Sequence, residues 1–343
     1  MSDLNALLKK YTQIAAVSGD EYRLRNAIIE DIKDYADNIQ VDAIGNLLVY
    51  KKGKKRAKRR IMLDAHMDEI GLIITNVTSD GYLRFDTVGG IDDKVLFGKR
   101  VKIRDTVGVI GGCAVHLLDS SESSTVQPKD KLFIDIGAKS REEALTLVDI
   151  GETAVFDSEY TELGSKIAAR ALDDRIGCAV LADMIRHELD YDMYFSFSVQ
   201  EEVGCRGAKC SAYTIDPDFA LVIESTTASD LFGVSDGSKV CVLGDGAAVS
   251  FMDNGTLYDR EMYKFVLDNC KKNNIKAQLK TAAKGGNDAK SIHLSKCGVR
   301  TCAVSLPCRY IHSQYCVADK SDIDSLKNAV LLNANLLASG ELQ

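Results

Sequence analysis

Two adjacent glutamates, Glu201 and Glu202, follow a run of aromatic and β-branched residues, Tyr194–Val199, that has the composition of a buried strand. Two like charges side by side repel each other and both favour water, so a buried strand rarely ends in such a pair without a reason. A solvated turn is the ordinary explanation for an isolated pair. The functional explanation is a catalytic carboxylate beside a metal ligand, and it requires partners elsewhere in the chain.

A histidine and two aspartates alternate along a second strand-like segment, Ile61–Gly71, which reads IMLDAHMDEIG. Side chains on a strand alternate between its two faces, so Asp64, His66 and Asp68 are predicted to share one face. His66 has the chemistry of a metal ligand, and Asp68 is suited to orient it. A short pattern of this kind is common by chance and carries weight only together with further ligands.

Further ligand candidates lie at the ends of other predicted elements. Asp173 and Asp174 precede a predicted helix, and Glu224 ends the predicted strand Phe219–Ile223. Open α/β sheets bind ligands beyond the carboxyl ends of their strands, so these side chains are predicted to converge with those above and with His312. Two imidazoles and three carboxylates would hold two zinc-like ions that share a bridging carboxylate. The residues alone leave open which member of each acidic pair takes part.

Signatures of other catalytic chemistries are absent from the sequence. It contains no HExxH, GxSxG or Walker motif and no complete GxGxxG. The candidate ligand set itself suits two-metal hydrolysis, in which paired ions activate water and polarise a carbonyl while a carboxylate carries the proton.

The ligand candidates require a scaffold of alternating strands and helices. Helical periodicity starts at Leu4–Ala16, and an α/β fold is expected, with a mixed central sheet flanked by helices and formed by residues 1–69 and 163–343. Short β-like runs separated by Gly- and Asp-rich turns indicate an inserted β-rich, barrel-like domain at residues 70–162. Within it, Arg100–Ile110 is predicted as one strand.

Composition and charge argue against several classes of protein. The 343 residues are 45% apolar and 27% charged, with a net charge of −7, which is ordinary for a globular chain and makes nucleic acid an unexpected partner. No apolar run reaches the roughly 18 residues that span a bilayer, so no membrane contact is expected. The ten cysteines include no CxxC pair and are expected to be reduced in a cytoplasmic chain. The basic run Lys51–Arg60 is expected to be a solvated connection, with an RNA-tethering or anionic-surface patch as the alternative.

Four motifs in one order, AHMDEIG, ALDDRIG, SVQEEVGCRGA and RYIHS, resemble those of the metallopeptidase family 42 aminopeptidases. The resemblance covers essentially the whole chain, and four ordered motifs are far more specific than one. It implies a cytosolic two-metal aminopeptidase, of the glutamyl or tetrahedral aminopeptidase type, that acts on short peptides. It also implies that the inserted domain makes dimer contacts and that dimers build a homo-oligomer such as a tetrahedral dodecamer.

The same resemblance implies a role for each candidate residue. The implied metal ligands are His66, Asp173, Glu202, Glu224 and His312. Asp173 would bridge two divalent ions and precede a cis peptide bond to Asp174, and Glu201 would be the general base. Asp68 would steady His66. Zinc is the expected metal, and cobalt or manganese would also suit these ligands.

Two positions leave alternatives open. Family members usually have aspartate where this sequence has Glu224, and one extra methylene moves the carboxylate near the place where a substrate's free amine would dock. The main alternative is therefore a two-metal amidohydrolase of another specificity, such as a deacylase or carboxypeptidase, and a catalytically weak assembly or RNA-associated homologue is a further one. His293, within GGNDAKSIH, is predicted to contact substrate, with a structural role equally open.

Overall fold

Strands and helices alternate in the computed structural model, which describes residues 3–117 and 125–342. Residues 1, 2, 118–124 and 343, which belong to the predicted domains, lie outside the described part. The helices of this part are α1 (Asp3–Gln13), α2 (Tyr22–Ile32), α3 (Arg141–Leu147), α4 (Leu172–Arg186), α5 (Arg206–Ile215), α6 (Arg260–Lys272), α7 (Ala289–Ile292) and α8 (Lys320–Ser339). The strands are β1 (Asn38–Val41), β2 (Leu47–Lys51), β3 (Ile61–His66), β4 (Gly71–Val77), β5 (Leu83–Val88), β6 (Arg100–Ile103), β7 (Thr106–Gly111), β8 (Phe133–Asp135), β9 (Thr153–Phe156), β10 (Thr161–Leu163), β11 (Lys166–Ala169), β12 (Met193–Ser198), β13 (Phe219–Thr227), β14 (Ala247–Ser250), β15 (Ala277–Lys280), β16 (Arg300–Cys308) and β17 (Cys316–Asp319).

One central sheet contains eight strands in the order β1-β2-β12-β3-β13-β16-β14-β15. Its inner strands β12, β3, β13 and β16 run parallel to one another. β2 and β14 pair antiparallel with these inner strands, so the predicted mixed sheet is confirmed. The carboxyl ends of the four parallel strands meet at one edge, which is where an open α/β sheet binds its ligands.

Helices cover both faces of the central sheet. On β3, Ile61 and Leu63 pack into an apolar core with side chains from α1, α2, α4, α6 and α8. Met62, between them, points to the other face and packs with side chains of α5 and α7. This alternation follows from the two-residue period of a strand and makes a three-layered α/β fold. The first helix ends at Gln13, before the limit predicted from its periodicity.

The inserted part contains a closed barrel of six strands in the order β4-β5-β8-β7-β6-β9. Alternate side chains such as Leu72 and Phe85 fill its interior. The prediction of one strand at Arg100–Ile110 was wrong, because Arg104 has a φ of 50° and turns the chain between β6 and β7. The barrel strands lie within Gly71–Phe156, inside the predicted insertion, whose domain limits stay a prediction.

A small sheet, β10-β11-β17, returns the chain from the barrel to the central sheet. Ala169 at the end of β11 pairs with Cys316 at the start of β17. The helix with Asp173 follows β11, and the loop with His312 precedes β17, so this pairing brings the two segments together. Among the helices described, none is both long enough and apolar enough to cross a membrane.

Candidate metal centre

The first cluster of candidate ligands, the His66 group, consists of His66, Asp173 and Glu224, whose ligand atoms all lie within 4.8 Å of one another. Nε2 of His66 lies 3.4 Å from Oδ1 of Asp173 and 3.4 Å from Oε1 of Glu224. His66 ends β3, and Glu224 lies on the neighbouring parallel strand β13. Glu224 does not end its strand as predicted, because β13 continues to Thr227. The sheet itself therefore holds this carboxylate in place.

The second cluster, the His312 group, consists of Asp173, Glu202 and His312. Nε2 of His312 lies 3.4 Å from Oδ2 of Asp173 and 3.2 Å from Oε2 of Glu202. Nδ1 of His312 faces the carbonyl oxygen of Gly90 at 3.0 Å, a contact that orients the ring. Gly90 lies between β5 and β6 of the barrel, so the insertion contributes to this cluster.

Asp173 is common to both clusters and presents one carboxylate oxygen to each histidine. It lies at the start of α4, where the predicted cis peptide bond joins it to Asp174. The Asp174 carboxylate instead accepts the backbone N–H of Gly177 at 3.0 Å. Of the two adjacent aspartates, the structure therefore brings Asp173 to the two histidines.

The spacing and hydrogen bonding of these side chains fit metal ligands. Atoms that are each about 2.0–2.1 Å from a tetrahedral ion are about 3.3 Å apart, and the four imidazole–carboxylate distances are 3.2–3.4 Å. Oδ1 of Asp173 and Oε2 of Glu224 are buried and accept no hydrogen bond. A buried carboxylate oxygen without a partner is unfavourable, and two divalent cations would satisfy these oxygens.

The electrostatics of the site also favour cations. Burial raises the pKa of Glu202 and of Glu224 well above the usual range, and the charge of Asp173 raises each further. Burial opposes ionisation of Asp173 too, yet the adjacent imidazoles of His312 and His66 hold its pKa below the usual range. Carboxylates gathered away from water repel one another, so a bound divalent ion would stabilise their charged forms.

Asp68 connects the ends of two strands beside the ligand clusters. Its Oδ1 accepts the backbone N–H of Glu201 at 2.9 Å, and its Oδ2 accepts that of Glu202 at 3.1 Å. The hydroxyl of Ser18 also donates to Oδ2, at 2.6 Å. The backbone oxygen of Asp68 lies 3.0 Å from Nδ1 of His66. Asp68 therefore orients both His66 and the acidic pair.

The adjacent glutamates face different partners because the strand ends before them. β12 stops at Ser198, and Gln200 has a φ of 59°, so the two side chains leave the alternation of a strand. Glu202 joins the His312 group, whereas Glu201 joins neither the His66 group nor the His312 group. Burial raises the pKa of Glu201 to about 8, against the opposing effect of His66. A carboxylate of this kind beside a metal centre is suited to proton transfer.

His293 lies apart from both clusters. It follows α7, and its Nδ1 faces the carbonyl oxygen of Ala289 at 2.7 Å. It lines a cavity of about 400 Å³ with Tyr258 and Arg300, and none of the five candidate ligands lines that cavity. The predicted contact of His293 with substrate stays a prediction.

Three features of the site escape prediction from the sequence. Gly90 acts through its backbone carbonyl, and Ser18 lies far from the motifs. Arg175 donates to Glu69 at 2.9 Å and to the carbonyl oxygen of Met67 at 3.1 Å, which ties α4 to the segment after β3. The only available signals were that Glu69 and Arg175 stand in the same motifs as the ligands and that a Gly-Gly pair precedes β6.

The known proteins to which this chain is similar include aminopeptidases and related peptidases. A family model described as M42 glutamyl aminopeptidase matches residues 45–328. A putative aminopeptidase from Acetivibrio thermocellus is 42% identical over 332 residues, which cover 96% of this chain and 97% of that protein. The lysyl aminopeptidase of Pyrococcus furiosus is 32% identical over 330 residues, 93% of either chain. The structure of a Pyrococcus horikoshii TET1 peptidase, described as assembling into a tetrahedron or a large octahedral shell, has a TM-score of 0.84 at 39% identity over 98% of this chain and 99% of that one.

Proposed function

This chain belongs to the M42 glutamyl aminopeptidase family, and on that basis we propose that it removes N-terminal residues from short peptides with two divalent metal ions per subunit. It is an enzyme, an aminopeptidase of a metallopeptidase family. One observation carries the two-metal proposal: Asp173 presents one oxygen to His66 and the other to His312. A carboxylate placed in this way bridges the ions of two-metal hydrolases.

The proposed division of labour follows the two clusters. The His66 group would hold one ion and the His312 group the other, with Asp173 between them. Such ions, when bound, polarise a peptide carbonyl and lower the pKa of water. Glu201, which is in neither group, accepts the proton of the attacking water and returns it to the leaving amine. Asp68 keeps Glu201 in position through the backbone N–H that it accepts.

Zinc is proposed as the native metal. Each cluster offers one imidazole and two carboxylates, a donor set that suits zinc and also accommodates cobalt and manganese. Elemental analysis of protein purified without added metal tests this choice, and about two zinc atoms per chain are expected. If the protein instead contained about two ions of another metal per chain, that metal would replace zinc in the proposal. The proposed ligands would stay the same.

A homo-oligomer built from dimers is also proposed, with the barrel making the dimer contact. The similar Pyrococcus horikoshii TET1 peptidase can assemble into a tetrahedron or a large octahedral shell. On the outer face of β7, Val107 and Val109 are each 45% exposed, and neighbouring exposed apolar side chains favour association. Light scattering on the eluting protein is expected to give the mass of a tetrahedral dodecamer, and a monomer at micromolar concentration would contradict the proposal.

A second candidate function, deacylation or carboxypeptidase activity, is favoured by Glu224. This residue stands where the family usually has aspartate, and its Oε1 accepts the backbone N–H of Ser225 at 3.1 Å while facing His66. The longer side chain alters the space where a free amine would dock, so specificity for the amino terminus depends on it.

Two further expectations stay predictions. In the basic run, Lys51 donates to the carbonyl oxygen of Tyr35 at 2.9 Å and Arg60 donates to that of Ile215 at 2.9 Å, so part of the run serves the fold. Most of its other basic residues, such as Arg56 and Arg59, are exposed and give the remaining support for an RNA-associated role. The ten cysteines are free thiols, which agrees with the expected cytoplasmic location.

The decisive experiment compares short peptides with free and with acetylated N-termini. Hydrolysis of the free peptides is expected, with loss on chelation and recovery on addition of zinc or cobalt. Faster hydrolysis of the acetylated peptides would replace the aminopeptidase proposal with the deacylase. Hydrolysis of neither, by protein with a full metal content, would favour the catalytically weak homologue.

A further inference from the structure

Glu201 belongs to a third cluster, whose other members are Cys205 and Asp288. One ligand-type atom of each of these three residues lies within 4.8 Å of the others. Neither Cys205 nor Asp288 belongs to the His66 group or the His312 group. Both are almost fully buried, at 5% and 1% exposure.

A tight turn brings the Cys205 thiol back onto the glutamate. The backbone N–H groups of Gly204 and Cys205 both donate to the carbonyl oxygen of Glu201, at 2.8 and 2.9 Å. Cys205 has a φ of 54°, in the left-handed region that non-glycine residues rarely adopt, and it directly precedes α5. In this conformation its Sγ lies 3.2 Å from Oε1 of Glu201 and donates a hydrogen bond to it.

Because Asp288 lies beside Glu201, an uncharged hydrogen-bond donor to Glu201 is important. Oδ2 of Asp288 accepts the hydroxyl of Ser198 at 2.5 Å, but its buried Oδ1 accepts no hydrogen bond. Two carboxylates this close repel each other in a site with little water. Without the thiol donor, Oε1 of Glu201 would face a buried carboxylic group with no hydrogen bond from a side chain to hold it in place.

We propose that Cys205 is a positioning residue for the general base. Its thiol holds Oε1 of Glu201 beside Asp288, which leaves Oε2 to accept the proton of water. A thiol is a weak donor, but it is neutral, small and stable when buried. This inference rests on the proposed aminopeptidase function and adds to it a residue that determines kcat.

The test compares Cys205→Ala, which removes the donor, with Cys205→Ser, which keeps one. Cys210→Ala on α5 is the control, because Cys210 is an exposed cysteine five residues further along the chain. For Cys205→Ala, kcat is expected to fall about tenfold, since small displacements of a proton acceptor are costly. KM and metal content should stay within twofold of wild type, and the serine variant should recover most of kcat.

Several outcomes overturn the proposal. Equal kcat for wild type and Cys205→Ala would show that the thiol does not position the base. An equal loss in the alanine and serine variants, or loss of metal from either, would assign Cys205 to packing or to ligand placement. If Cys205→Ala fails to fold, the comparison of Cys205→Ser with Cys210→Ala decides: a kcat within threefold of the control supports the donor, and a larger loss contradicts it.

Failure of the proposed function gives a different pattern. If wild-type protein with its metal hydrolyses no peptide with a free N-terminus, the function itself is wrong. If wild type is active and Cys205→Ala matches it, only the role of Cys205 is wrong.

Discussion

The Asp68 carboxylate accepts the backbone N–H of Glu201 at 2.9 Å, so a residue of one strand end fixes the turn that follows another. From the sequence, Asp68 was expected only to steady His66. The structure adds the second contact, because both carboxylate oxygens are used by the acidic pair. Asp68 thereby fixes the turn that carries Glu201 and Glu202 through its side chain, and orients His66 through its backbone oxygen.

Asp68→Asn is expected to weaken metal binding about 10- to 100-fold and to lower kcat about as much. The amide has one acceptor oxygen, so one of the N–H groups of Glu201 and Glu202 loses its partner. Metal titration of the chelator-treated protein and kcat at saturating metal measure the two effects. Ser18→Ala, which removes only the hydroxyl contact to Asp68, is the milder control, and an equally large loss there would contradict the importance of the two backbone contacts.

Glu201→Gln is expected to reduce kcat by about 10²–10⁴-fold while the metal content is unchanged. The amide has nearly the shape of the carboxylate but cannot accept the proton. Steady-state kinetics and elemental analysis on the same preparation measure both properties. Undiminished turnover would mean that another group is the base, and loss of metal would make Glu201 a ligand.

Substitution of single ligands is expected to remove ions selectively. Glu224→Gln should weaken the ion at His66, and Glu202→Gln the ion at His312, so each variant should retain about one ion per chain at limiting zinc. Asp173→Asn should weaken both, because its carboxylate serves both clusters. Elemental analysis after dialysis counts the ions. Retention of two ions in Asp173→Asn would argue against the bridge.

The buried Glu69 is expected to matter for stability. Its carboxylate lies 2.9 Å from Arg175 and 3.0 Å from Arg170, and all three side chains are buried. Glu69→Gln would leave two guanidinium groups without their counter-charge, at a cost of about 3–5 kcal/mol in the free energy of unfolding. Urea denaturation of the metal-free protein measures it. Glu30→Gln, at an exposed pair with Lys33, should change stability by less than about 0.5 kcal/mol.

Asp230 is expected to make stability depend on pH in the acid range. Burial would raise its pKa, but the hydrogen bonds from Arg309, at 2.6 and 2.9 Å, hold it below the usual range. A lowered folded-state pKa stabilises the protein above the unfolded value of about 3.9, and the stabilisation is lost as pH falls through the folded value.

Asp230→Asn should therefore be less stable than wild type at pH 7, and the difference should narrow below about pH 4. Urea midpoints at pH 7, 5 and 3 measure this trend. Asp245→Asn, at an exposed aspartate, is the control and should follow wild type at each pH. A difference for Asp230→Asn that stayed constant down to pH 3 would contradict the ion pair as its cause.

The features that could be predicted from the sequence are those that depend on side-chain chemistry and on the periodicity of apolar residues. The mixed sheet, the flanking helices and the barrel-like insertion follow from patterns that a strand or helix imposes on buried positions. The selection of Asp173 and His312 as candidate ligands rests on motifs that stand in a recognisable order. The roles within each acidic pair come from the family resemblance and not from spacing, and they stay predictions.

What escaped prediction depends on pairing and on backbone groups. The continuation of β13 beyond Glu224 depends on its partner β16, with which it pairs as far as Thr227 and Cys308. The break at Arg104 depends on a backbone conformation that arginine rarely adopts. Gly90 offers His312 only a carbonyl oxygen, which every residue has, so no residue type marks it.

The contact between Gly90 and His312 limits how this chain can be shortened or recombined. Deleting the barrel would leave the eight-stranded sheet and most of its apolar core in place. The histidine of the second cluster would nevertheless lose the oxygen that sets its tautomer and its angle. A barrel taken from a related chain would therefore have to place a carbonyl oxygen where Gly90 places its own, or His312 would be left without this partner.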